Sequence, residues 1–379
     1  MADDTGGGRP DRPDRSGRRR FGGTLWLLAL VAVAVVVVVL VALPNRSSPP
    51  VRSDGPLVVA ALPFFNLDNG TSTTVGHKNT VNEASPWMYG VGEHGQITLQ
   101  YPPERGEDVQ ANIDRLRQAQ IPLVPSLANI TDGKWSYQPV AHVLADPKLR
   151  HQHVDQIVDL VHRENFAGID IDYENLRASD RNTFSAFIAE LGDRLHRDQK
   201  TLSVAVFAKD SEAGYDERNV AQDYAALGRS ADQVRLMAYD YHWATSPPGP
   251  VAPIDWVRRV LDYARSQIPP ERVVLGVPTA GYDWPANGPA KPVNWLQAFR
   301  LARDHHAQPQ YDAKTQSPWF RYTDQAGVPH TVWFENAVSA KAKFEAARGT
   351  RVRGVYLWMY GYEDTGLWQK LRESLHPVR

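Results

Sequence analysis

"FAGIDIDYENL", residues 166–176, sets Asp170, Asp172 and Glu174 at alternate positions, with Ile169, Ile171 and Tyr173 between them. A β-strand sends successive side chains to opposite faces, so the three acids share one face and the isoleucines and tyrosine the other. The interleaved isoleucines and the preceding Gly168 mark a strand buried on its second face, not a solvated edge. Carboxylates about 6–7 Å apart along such a strand repel one another in a low-dielectric interior. Burial also disfavours their charged form. At least one is expected to hold a proton near neutral pH, the state a general acid needs. A calcium loop would require a glycine and further ligands at fixed offsets, which "DIDYENLRASD" lacks. Magnesium held by two carboxylates stays open as an alternative. The reading adopted is no metal and no other cofactor.

Working outward, apolar runs alternate with amphipathic stretches. Strands are expected at 56–65, within 88–101, and at 121–129, 166–174, 201–209, 234–243, 272–284 and 352–364. Helices are expected at 107–120, 148–165, 180–199, 254–267 and 366–375. This order implies right-handed βαβ units and a parallel sheet. The strands are almost wholly apolar, as strands covered on both faces must be. No Gly-rich phosphate turn follows the first strand, which disfavours an open dinucleotide-type sheet. The α/β fold class expected is therefore a closed (β/α)8 TIM barrel over 56–375. The interval 285–350 is too long for one βα unit. It holds a helical stretch and two strands joined at Asp324–Gly327, and reads as a small α+β insertion between strands seven and eight.

The N-terminus reads as a disordered basic tail (1–23), then "TLWLLALVAVAVVVVVLVAL" (24–43), then an extended linker (44–55). The central segment is uncharged and long enough to span a bilayer, with Arg18, Arg19 and Arg20 before it. A single-pass signal anchor is expected, with the barrel outside the cell membrane; secretion after cleavage is the alternative. There is no cysteine, which excludes disulfides, thiol catalysis and Cys-based zinc sites. A formal net charge of -1 gives no field that favours nucleic acid. A monomer is expected.

"FAGIDIDYE" resembles the D-G-x-D-x-D-x-E pattern of glycoside hydrolase family 18, the chitinase family, through Gly168, Asp170, Asp172 and Glu174. Ala167 departs from it, standing where the pattern has its first Asp. "LMAYDYHW" is similar to the family's sixth-strand M-x-Y-D, through Met237, Tyr239 and Asp240, and Trp358 in "GVYLWMYG" matches its eighth-strand tryptophan. The resemblance implies retaining, substrate-assisted hydrolysis of β-1,4 bonds in N-acetylglucosamine-containing glycans. It makes Glu174 the acid/base, Asp172 the partner of the substrate acetamido group, Asp170 its proton-sharing neighbour and Tyr239 the acetamido-oxygen donor. Asp240 would bind the distorted sugar, Trp358 would floor the site, and Met237 would brush it. Tyr241, Trp243, Tyr282 and Trp284 follow strands six and seven and could line the cleft. Asn129 ends strand three and is expected to reach substrate. His151, His153, His305 and His306 read as surface residues. The run at 317–339 is closest to the peptidoglycan-acting, spore cortex-lytic branch. A chitinase and an inactive sugar-binding relative are the alternatives.

Overall fold

The computed structural model describes residues 55–377. The basic tail, the apolar span at 24–43 and the linker up to residue 54 lie outside the described residues. Eight parallel strands pair in chain order: β1 (Leu57–Pro63), β2 (Glu83–Val91), β3 (Ser126–Ala128), β4 (Gly168–Asp172), β5 (Thr201–Phe207), β6 (Gln233–Met237), β7 (Val273–Pro278) and β8 (Gly354–Trp358). β1 pairs with both β2 and β8, which closes the barrel.

Period-2 alternation divides each strand between two environments. Outward residues, among them Ile169, Ile171, Val204, Val206, Leu236, Leu275 and Leu357, join the shell helices in one apolar core. Inward, Leu57, Val59, Ala61, Val274 and Tyr356 make a separate small cluster on the β1–β8–β7 side. The opposite inner wall is polar: Ser126, Asp170, Ser203 and Gln233 stand in one register layer across β3–β6. Gly276 leaves room for the Tyr356 ring, since a Cβ there would lie 2.8 Å from the Tyr356 hydroxyl and 2.5 Å from the Leu236 carbonyl oxygen.

The helix Pro147–Arg163 shows how the shell forms. Asp146 caps its start by accepting from the Lys148 and Leu149 amides, Pro147 fills the first turn, and Val154, Ile157, Val158 and Val161 face inward. Leu67–Gly76 is a helix the sequence does not announce, being rich in Gly and Thr; Leu67, Gly70, Thr71 and Thr74 are buried along its length.

The insertion differs from expectation at both ends. The apolar run 272–284 is two strands, β7 and Ala280–Pro285, and the second leaves the barrel for an antiparallel sheet with Lys291–Asn294, Pro329–Trp333, Ser317–Thr323 and Gln310–Asp312. Thr279 makes the break. Its amide donates to Trp358 O (2.9 Å), its hydroxyl donates to Met359 O (2.8 Å) and accepts from Met359 N (3.0 Å). At the far end, the helix Ala337–Thr350 packs on the barrel-shell helices Leu367–Leu375 and Ile254–Gln267.

Candidate active site

β4 delivers the acids to the barrel mouth. Asp170 is buried, accepts from Ser126 Oγ at 2.8 Å and lies 3.3 Å from Arg235 Nη1. Asp172 ends the strand, and Glu174 follows two residues later. Burial pushes the Asp172 carboxyl well above the usual range, the Glu174 and Asp170 charges push it further, and the Trp87 indole N–H beside it works the other way. Burial likewise raises Glu174 to about 7; Arg218 opposes that shift and Asp240 adds to it. The expected proton sharing between Asp170 and Asp172 is not formed as a hydrogen bond. Each keeps a buried Oδ1 without a partner, and the other oxygen of Asp170 is taken by Ser126 and Arg235.

Across the mouth, the Tyr239 hydroxyl is 2.9 Å from that of Tyr356. Burial raises both phenols well above their usual range. Asp240 has φ 54°, left-handed backbone that a non-glycine residue adopts at a cost. It stands at the exposed rim and accepts from the Tyr282 hydroxyl at 3.0 Å, and the protein around it raises its carboxyl. Met237, Tyr239 and Trp358 all pack, partly exposed, on the inner cluster of Leu57, Val59, Ala61, Val274 and Tyr356. The sixth- and eighth-strand residues singled out in the sequence thus converge on one spot.

Others go elsewhere. Tyr241 is exposed and rests its ring on Trp256 of the shell helix (5.1 Å). Trp284 is buried and donates its indole N–H to Trp243 O and Ser246 O, anchoring the loop after β6. Asn129 is fully buried: its Oδ1 accepts from Glu174 N (2.8 Å) and its Nδ2 donates to Ser136 O (3.1 Å), so its amide is spent within the protein. His151 is exposed, but His153 is not a surface residue. It lies 2.6 Å from the Tyr173 hydroxyl and 3.0 Å from Gly95 O, and burial lowers it to about 4. His305 packs its ring, tilted, against Tyr322 in the insertion (4.3 Å).

Sequence reasoning missed an aromatic wall. Trp87 meets Trp358 edge-on (6.0 Å), leans on Trp135 (6.3 Å) and stacks with Phe64 (6.3 Å). Trp87 was findable, because it sits an even number of residues from the inward Glu83 and Ser85 on β2.

A closed barrel with inward carboxylates at the end of β4 is the geometry the sequence motifs require, and the sequence model of "Glycosyl hydrolases family 18" matches residues 55–363. The chain belongs to glycosyl hydrolase family 18. It is a glycosidase. Among its family 18 relatives, the cortical fragment-lytic enzyme of Bacillus subtilis is 31% identical over 321 residues, covering 82% of this chain and 73% of that one. The spore cortex-lytic enzyme SleL of Bacillus cereus superposes with a TM-score of 0.77 at 27% identity, over 85% of this chain and 75% of its own. A chitinase from Chromobacterium violaceum superposes with a TM-score of 0.78 at 30% identity, over 84% and 98%. For a family 18 glycosidase, the chemistry available here is proton donation from a carboxyl that titrates near neutrality, beside an aromatic wall suited to sugar rings.

Proposed function

We propose that this glycosidase cleaves β-1,4 bonds of N-acetylglucosamine in peptidoglycan by a retaining, substrate-assisted mechanism. The observation that carries the reading is Glu174, raised to about 7 at the barrel mouth beside an Asp172 whose carboxyl burial also raises. Glu174 protonates the glycosidic oxygen while the substrate's own acetamido oxygen attacks the anomeric carbon, expelling the leaving sugar. Asp172 receives the acetamido N–H. Its affinity for a proton falls as the positive oxazolinium develops beside it. The Tyr239 hydroxyl positions the acetamido oxygen for attack. Asp240 and Tyr282 hold the distorted ring over Trp358. Glu174, now a carboxylate, then takes a proton from water, which opens the oxazolinium with retention.

The relatives named for lysis of spore cortex support peptidoglycan as the substrate. The Chromobacterium violaceum chitinase, matched over 98% of its length, supports chitooligosaccharides as the second reading. Mass spectrometry of products from the full chain acting on peptidoglycan and on chitooligosaccharides separates the two. Reducing-end N-acetylglucosamine from peptidoglycan is expected, and cleavage of chitin alone overturns the substrate. A thiazoline mimic of the oxazolinium should inhibit. The apolar segment 24–43 behind Arg18–Arg20 supports tethering to the membrane with the barrel outside; protease added to intact cells should then remove the barrel.

A further inference from the structure

At the mouth, β3, β4 and β5 run out of backbone pairing just where the acid stands. Asn129 N donates to Asp172 O at 3.3 Å. The Tyr173 carbonyl and the Glu174 N–H that follow are taken by side chains. The Glu174 N–H donates to Asn129 Oδ1 (2.8 Å), and the Tyr173 carbonyl accepts from Gln222 Nε2 (3.3 Å). Each side chain is held at its other end too: Asn129 Nδ2 donates to Ser136 O (3.1 Å), and Gln222 Oε1 accepts from Phe207 N at the end of β5 (2.7 Å). Both side chains are 0% exposed. A single peptide unit, Tyr173–Glu174, is thus gripped by its N–H from the β3 side and by its C=O from the β5 side. Because a peptide unit is planar, fixing both groups fixes the Glu174 Cα and restricts the direction in which its side chain leaves.

We propose that Asn129 and Gln222 form a two-amide clamp that positions Glu174, an inference that rests on Glu174 being the acid. They are positioning residues. The clamp replaces ladder bonds that would keep β4 a regular strand, and lets the chain turn while the carboxyl stays aimed into the mouth.

The test is steady-state kinetics of the full chain on soluble peptidoglycan strands, or on chitooligosaccharides should the parent cleave only those. Asn129→Ala and Gln222→Met are expected to lower kcat about 100-fold, the scale of an ångström-sized misplacement, with KM within about twofold. Asn129→Asp keeps the acceptor for the Glu174 amide. Having lost the donor to Ser136 O, it should recover only part of kcat, while its added carboxylate moves the alkaline limb of the pH profile upward. In a Glu174→Gln background, neither clamp substitution should lower the residual rate by more than about twofold, since no acid remains to be aimed. Clamp variants with parental kcat, or with the same 100-fold loss in the Glu174→Gln background, overturn the clamp alone. Parental turnover by Glu174→Gln itself overturns the acid assignment. Gln222→Met is close to isosteric, buries no charge and keeps the test decisive if the Asn129 variants do not fold.

Discussion

Asp170 and Asp172 stand two residues apart on one strand, on the same face, in opposite electrostatic surroundings. Around Asp170 the barrel interior holds a buried cation. Arg235, 2% exposed, lies beside Asp170 and Glu83 and donates to Ser85 Oγ (2.8 Å) and Gln233 Oε1 (3.1 Å). One turn of the barrel higher, Asp172, Glu174 and Asp240 gather without a salt bridge to any of them among the described residues. All three carboxyls are raised, chiefly by burial. The difference teaches that a guanidinium paired at the floor, and out of salt-bridge reach of the mouth, leaves burial as the dominant influence on the mouth carboxyls. The floor is a buried cluster in which Arg235 ties together Glu83, Ser85, Asp170 and Gln233, with Asp170 Oδ1 left unpartnered. The mouth is a set of acids raised by loss of water, Glu174 to about 7.

The largest effect expected from breaking this arrangement is at the mouth. Glu174→Gln keeps the shape and removes the transferable proton, and kcat should fall about 10³-fold with the fold intact. At the floor, Arg235→Met strands Glu83 and Asp170 without their cation, which should cost about 3–5 kcal/mol in urea unfolding. A loss under about 1 kcal/mol would mean that the floor is not the structural half of the pair. Gly276→Ala strikes between the two regions. Its Cβ meets the fixed Leu236 carbonyl as well as the Tyr356 hydroxyl, and overpacking of this kind costs about 1–3 kcal/mol. Activity should fall beyond the stability loss, because Tyr356 carries Tyr239 with it.

The pH dependence follows with its sign. The folded Glu174 titrates at about 7, above its ordinary value of 4.5. Between those pH values the folded chain binds more protons than the unfolded one, so this group's contribution to stability is complete below about 4.5 and lost as pH rises through about 7. Glu174→Gln removes that loss. Its Tm should exceed the parent's at pH 8 and match it at pH 4. Equal Tm values at both would mean that the mouth does not hold its protons by burial.

Much of the mouth is legible in the chain because period-2 alternation with acids is rare in an apolar strand; Asp170, Asp172 and Glu174 stand out for that reason. The floor obeys the same rule and went unread. Gln233 and Arg235 alternate with Val234 and Leu236 as the acids do with isoleucines, and Glu83 and Ser85 flank Ala84 on β2. What the sequence hides is contact over long separation. In "VVLGVPTAGYDW" Pro278 hints at an interruption, but nothing shows what Thr279 bonds to there, since its partners are 80 residues away. Nor does "KLRHQHVDQ" show that His153 rather than His151 is buried, because that depends on the Tyr173 hydroxyl from the neighbouring strand. The helix Leu67–Gly76 likewise owes its form to what it packs on, not to its residues' helical preference.

The smallest expected effect tests whether the mouth behaves as one cluster. Tyr282 reaches it from the insertion and donates to Asp240 Oδ1 at 3.0 Å, the contact that opposes burial's upward push on that carboxyl. Tyr282→Phe removes the donor and little volume, and kcat/KM should fall about threefold to tenfold, the worth of one such hydrogen bond. The pH profile carries the sharper information. Without its donor, Asp240 holds a proton more firmly and presents less negative charge to Glu174. Since the Asp240 charge raises Glu174, the alkaline limb should move to lower pH. A limb that stays in place would uncouple Asp240 from Glu174, and the contrast between floor and mouth would then rest on Asp172 and Glu174 alone.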